Sequence, residues 1–253
     1  MSNGLVLQRA KELFSAIVAE HQLGSDRVRV TVEALSPRQA IGRPQRRDFA
    51  LLEGREVMVE AEFRGSFGQA FTDQPQSFQG SVDDVQRLNL DSSASRAVFI
   101  STLNAVTSYL GTAEGTRHCR DDEPERCGSE IAHNLLKDYG RVRVGLVGYQ
   151  PAILAHLTRA FGVENVKCSD LNPKNIGSHR SGVRVWDGKT DTARLIDWCE
   201  LLLATSSAIA NDTFDDIYER AVTSQGKPLL VFGVTGAGLS ALLGLRRICP
   251  YGH

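Results

Sequence analysis

The sequence is notable first for what it lacks. Its 253 residues contain no apolar run near the ~20 residues that a bilayer-spanning helix needs, so no membrane partner is expected. It has almost no net charge. Lys and Arg number 29 against 30 Asp and Glu, leaving −1, and such a chain offers no global field for nucleic acid or an anionic surface. Met1-Ser2-Asn3-Gly4 shows no basic cluster backed by an apolar core, so no signal peptide is expected and a cytoplasmic location is. Cysteines number five, an odd count without an export signal, which argues against a disulfide framework. Buried thiols, metal ligands or reactive thiols remain. There is no internal repeat and no low-complexity tract. What is present is ordinary for a globular protein: 42% hydrophobic and 23% charged residues, in a length that suits one large domain or two small ones.

The chain changes grammar near residue 115. Val6 to Ala19 carries apolar residues at helical spacing, with Gly24 as the latest stop. Arg27 to Val32 alternates as a strand, Val57 to Phe63 alternates less strictly, and Gly65 and Gly68 suggest the turns of an antiparallel meander with Gln69 to Thr72. Ser81 with Asp84 reads as a helix start, and Ser95 to Leu110 as a helix capped by Gly111. Residues 1–115 therefore form an α+β domain. From 116 to 253, short apolar strands alternate with helices: 142–147, 165–169, 182–186, 200–205, 228–232 and a sixth at 242–248, with helices at 124–137, 152–161 and 212–221. That alternation predicts an α/β domain with a parallel sheet and right-handed crossovers.

In such sheets the ligand sits beyond the carboxyl ends of the strands. The rule selects Gly148 and Tyr149, Asp170, Asp187, Thr205 and Ser206, Val234 and Thr235, and Cys249 if the sixth strand forms, with Gln150 and Gly236 adjoining them. Pro151 stands where a dinucleotide fingerprint would have its third glycine, so that fingerprint is absent. Asp170 is placed to hold a ribose, and serves equally as the turn residue of Ser169-Asp170-Leu171-Asn172-Pro173. Gly233 to Ser240 is an anion cradle or only a turn.

The densest chemistry lies at Arg117-His118-Cys119-Arg120-Asp121-Asp122-Glu123-Pro124-Glu125-Arg126-Cys127. Two thiols and an imidazole suit a zinc-like or softer ion, although the seven residues between the cysteines exceed a zinc knuckle's spacing. The alternative is a salt-bridged linker, with Pro124 in a helix's first turn and Arg120 and Arg126 paired to the acids around it. If that helix packs antiparallel to the strand at 142–147, its N-terminal loop overhangs the crevice at Gly148 and Asp170. Cys249-Pro250-Tyr251-Gly252-His253 spaces a thiol and an imidazole for one ion, but a frayed tail is the commoner state of chain ends. Cys168 and Cys199 read as core thiols.

The segment Cys119 to Cys127 resembles a signature of a heavy-metal chelation family that has no firmly established activity. Arg96, Leu103 and Asn104, Val147 to Pro151, and Ala210-Asn211-Asp212-Thr213-Phe214 resemble family positions too, and the resemblance spans residues 5 to 248. It implies an enolase-N-terminal-like domain, a Rossmann-like domain and a site between them. Metal binding through His118, Cys119 and Cys127, with Asp121, Asp122 or Cys249, is one reading, the cofactor being a transition-metal ion. The second is a transferase- or lyase-type enzyme that binds a nucleotide or S-adenosylmethionine-like ligand. Asp170 would hold the ribose, and Asn211 would join the strand-end residues. An adaptor with a closed cleft is the third. The expected partners are a metal or small molecule and a second copy of the chain, the homodimer being the commonest soluble assembly.

Overall fold

The computed structural model describes residues 5–24, 30–53 and 56–253. Helix α1 (Leu5–Glu20) is followed by β1 (Val30–Leu35), two short helices α2 (Pro37–Ile41) and α3 (Ala50–Glu53), and the hairpin β2 (Val57–Phe63) and β3 (Ser66–Thr72). Then come β4 (Phe78–Gly80), α4 (Val82–Gln86) and the long helix α5 (Ser93–Tyr109). The antiparallel sheet they form has the order β3-β2-β1-β4. The expected strand at Arg27 to Val32 is seen from Val30 onward, its first three residues lying outside the described ones. Arg64 and Gly65 both take positive φ, as the two-residue turn of a tight hairpin requires.

The second half runs α6 (Glu123–Tyr139), β5 (Val144–Val147), α7 (Pro151–Phe161), β6 (Val166–Asp170), β7 (His179–Arg180), β8 (Val183–Asp187) and α8 (Thr192–Trp198). It ends with β9 (Leu201–Thr205), α9 (Ser207–Ala210), α10 (Phe214–Tyr218), β10 (Leu229–Phe232), α11 (Ala237–Leu243) and β11 (Arg247–Ile248). The sheet order is β11-β10-β9-β5-β6-β8-β7, parallel except for β7. Alternation along the strands sorts the two faces. Val144, Leu146, Leu201 and Leu203 pack under α6 and α7, whereas Val147, Leu202 and Ala204 belong to the core that also holds Phe14 of α1 and Phe99 of α5. The two sheets thus share one hydrophobic core. No described helix is long and apolar enough to cross a membrane.

Three local expectations are corrected. Gly68 is no turn residue: it lies inside β3, where a Cβ would stand 2.3 Å from the Ala105 nitrogen and the Ser101 carbonyl oxygen of α5. The apolar run at 242–248 is no full strand, because Leu242 and Leu243 end α11 and only Arg247–Ile248 pairs with β10. An apolar run of this length fits either structure, and the burial of Leu239 in the shared core selects the helix. The helix expected at 212–221 starts at Phe214 and widens into a π-helical turn, Glu219–Thr223.

The halves are joined at Asn104, fully buried on α5. Its Nδ2 donates to the carbonyl oxygens of Gln69 (2.9 Å), Val234 (3.1 Å) and Thr235 (3.2 Å), and its Oδ1 accepts from the Gly238 N–H (2.7 Å). Leaving these buried groups unpaired costs roughly 1–3 kcal/mol each. Asn104→Leu is therefore expected to lower unfolding stability by about 3 kcal/mol or more in urea titrations. Gly68→Ala, which forces β3 off α5, should cost about 1–3 kcal/mol.

Candidate functional site

β5 is the turning point of the sheet, with β6 on one side and β9 on the other, so a crevice opens at their carboxyl ends. Gly148 sits at its floor with φ 88°, and a Cβ there would lie 2.4 Å from Thr205 Cγ2. Only glycine lets the β5–α7 turn pass this close to β9. The crevice deepens into a cleft of about 840 Å³, covered by Ile41, Phe49 and Leu51 from the first half. His118, Cys119, Cys127 and Cys249 line one end. Gly148, Tyr149, Gln150, Asp170 and Thr205 line the middle, and Glu56, Ser207 and Asn211 the far end. The loop before α6 therefore does overhang the crevice at Gly148 and Asp170.

At the thiol end, Cys127 projects from the first turns of α6 and lies against both Cys119 and Cys249. The hydrogen bond with Cys119 is the largest influence holding the Cys127 thiol protonated, pushing its pKa up to about 12. Cys249 is raised as well, by its bond with Cys127 and then by burial. His118 Nδ1 lies 2.5 Å from the Cys119 carbonyl oxygen and 3.9 Å from the Cys119 sulfur. Nδ1 therefore carries the proton, and Nε2 keeps its lone pair. Burial lowers the His118 pKa and favours the neutral ring. The position of His118 is set by Gln69, whose Oε1 accepts from the His118 N–H at 2.7 Å.

The tail brings in the third thiol. Instead of fraying, it folds back: Arg117 N–H donates to the His253 carbonyl (2.8 Å) and His253 N–H returns the bond (2.9 Å). Tyr251 stacks under Arg126, and His253 Nε2 stands 2.9 Å from Glu123. The imidazole of His253 is thereby used by the clasp.

Asp121 and Asp122 are not drawn in. Asp121 accepts from the Arg43 N–H at 2.8 Å, and Asp122 begins α6 with no side-chain cap bond. The salt-bridged linker is also rearranged: Glu125 pairs with Arg46 and His156, and Arg46 also reaches Asp48, which accepts from Tyr149 Oη at 3.1 Å. These contacts tie the segment at 46–48 to α6 and α7. Among the described residues, no three His, Cys, Asp or Glu groups are arranged as they stand to hold an ion.

In the middle of the cleft, Asp170 is fully engaged. Its Oδ2 accepts from the Tyr149 N–H (2.7 Å), and its Oδ1 from the Asn172 N–H (2.7 Å) and Asn175 Nδ2 (3.2 Å). Both oxygens hold the β5 and β6 loops together, so the turn-residue role fits, and three of the carboxylate's roughly four acceptor positions are already taken. Gln150 caps α7, accepting from Ile153 N–H at 2.6 Å. Ser206, Thr235 and Gly236 do not line the cleft. Ser206 is buried against Gly233 and Gly236, and Thr235 Oγ1 accepts from the Phe71 N–H at 3.1 Å. The glycine-rich stretch is no anion cradle, since the Ala237, Gly238 and Ser240 amides are bonded within the protein. Cys168 and Cys199 are core thiols.

Glu56 has no counterpart in the sequence reading, because nothing in Arg55-Glu56-Val57 distinguishes it from any polar residue at a strand's start. Burial first, then the charges of Asp170 and Asp73, push its pKa up to about 7. The unfolded carboxyl titrates near 4.5, so the folded state binds the proton more tightly. Stability tied to this group is intact below about pH 4.5 and falls as pH rises toward 7. Glu56→Gln is expected to raise stability at pH 8 by about 1–3 kcal/mol, a gain that vanishes near pH 4.5 in paired urea titrations.

Known proteins resemble the chain in two ways. A protein of unknown function from Desulfitobacterium hafniense, of the DUF364 family, shares the fold with a TM-score of 0.54 at 10% identity, over 94% of this chain and 83% of its own. Another from the same family, in Pyrococcus horikoshii, gives 0.50 at 18% identity, over 91% and 79%. No curated protein matches the sequence. Residues 132–243, from within α6 to the end of α11, match the profile of the DUF364 family, described as "Putative heavy-metal chelation".

Proposed function

We propose that the protein binds a soft heavy-metal ion through Cys119, Cys127 and Cys249, with His118 as a fourth ligand. The observation that carries this reading is the convergence of three thiols and a neutral imidazole at one end of the cleft, the third thiol being delivered by the folded-back tail. Sulfur and imidazole donors select soft and borderline ions over magnesium or calcium. The donor set fits in kind, although each thiol must give up its proton to an ion. The described Asp121 and Asp122 contribute nothing to the set. The two-unit organisation, 1–115 and 116–253 with a Rossmann-like second unit, supplies the cleft on this reading. Free thiols held side by side suit a reducing compartment such as the cytoplasm. The nucleotide reading has less support, because Asp170 is committed to its own loops.

Elemental analysis of tag-free protein, reconstituted anaerobically with Cd²⁺, is expected to show near-stoichiometric metal. The Cys119→Ala/Cys127→Ala variant should show none, and Cys249→Ser should bind at least tenfold more weakly (about 1.4 kcal/mol). Apparent affinity should rise with pH by about one decade per unit for each thiol proton displaced. Absence of metal from the parent after reconstitution would overturn the reading.

A further inference from the structure

We propose that the Glu56 end of the cleft binds a small organic molecule carrying a protonated amine, with Glu56 as its counter-ion. Two cavities, of about 840 and 730 Å³, meet there, and Glu56, Ser207 and Asn211 line both. None of these three side chains has a hydrogen-bond partner among the described residues. A half-buried carboxylate, hydroxyl and carboxamide thus line the same space with their polar atoms open to it.

The sign of the ligand follows from the surroundings. The charges that act on Glu56 are those of Asp170 and Asp73, both carboxylates. Asp170 is held by three donors, whereas Asp73, exposed at the rim of the second cavity, accepts from Ser93 Oγ at 2.6 Å through Oδ1. The second cavity is lined by three carboxylates, Glu56, Asp73 and Asp91, against one cation, Arg96, whose guanidinium is spent on the Leu90, Asp91 and Ala210 carbonyls, so the site carries negative potential. A hard metal ion needs six or so oxygen ligands in one shell, and among the described residues no three acidic groups are arranged to hold one. An ammonium group needs one counter-ion and two or three acceptors, which Glu56, Ser207 and Asn211 provide. Phe71 and Leu171 flank both cavities and give an apolar body its contact surface. Arg96 fixes the wall by donating to the Ala210 carbonyl, one residue before Asn211, at 2.6 Å. Nothing here depends on metal at the thiol end.

The test is calorimetric titration of the metal-free full chain at pH 8 with phenethylamine, 2-phenylethanol and 3-phenylpropionate, which match in shape and differ in charge. Saturable binding of the amine is expected, at least about tenfold tighter than the alcohol or the acid. Glu56→Gln should remove that preference while leaving the melting temperature unlowered and Cd²⁺ binding unchanged. Asn211→Ser should weaken the amine and spare the alcohol. Equal binding of all three compounds, a preference for the acid, no saturable amine binding, or an amine preference that survives Glu56→Gln would overturn the proposal. Cd²⁺ stoichiometry is read separately, so failure at one end of the cleft is distinguishable from failure at the other.

Discussion

One buried carboxamide holds the two sheets in register. Asn104 bonds β3 through Gln69, the loop after β10 through Val234 and Thr235, and the start of α11 through Gly238. The geometry around it leaves no slack: a Cβ at Gly238 would stand 2.3 Å from Leu103 Cδ2 and 2.6 Å from Thr107 Oγ1. Two glycines, Gly68 and Gly238, let α5 approach β3 on one side and α11 on the other. Because the same β3 residue, Gln69, also positions His118, the joint between the halves and the thiol end of the cleft are mechanically one object.

The cleft that results is chemically divided. One end is soft, made of thiols in contact, where Cys119 raises the Cys127 pKa and Cys127 raises that of Cys249. The other is oxygen-lined and anionic. Between them, Asp170 and the Tyr149–Asp48–Arg46 contacts spend their polar groups on holding the loops around the same cavity.

Much of this was legible in the sequence because local physics decides it. The α1 periodicity, the Ser81–Asp84 capping box, Pro124 in the first turn of α6, Pro151 opening α7 and the bounds of β2 all follow from neighbours within a few residues. What escaped depends on distant partners. Gly68 looks like any turn glycine until α5 is placed on it. The segment 192–198 gives no helix signal strong enough to notice, yet Leu195 of α8 fills the space over Gly145 and Ile196 is buried beside it in the chain. The tail reads as frayed until Arg117 is found to pair with His253. Cys119, Cys127 and His118 could be suspected from their crowding along the chain, whereas Glu56 acquires its character only from Asp170 and Asp73, more than a hundred and some seventeen positions away.

The shared core has a consequence for the order in which the chain is made. The N-terminal face of α1 is bonded by its Val6 N–H to Asp215, and α1 and α5 both rest on α11, which ends at Leu243. A nascent chain emerges from its N-terminus, so Phe14 and Phe99 can pack edge to face, 5.7 Å apart, before α11 is made to cover α1 and α5. Contacts of such long sequence separation slow folding. The first half is therefore obliged to wait, half-covered, for the second, and translation of this protein carries a window in which a chaperone has an obvious surface to hold.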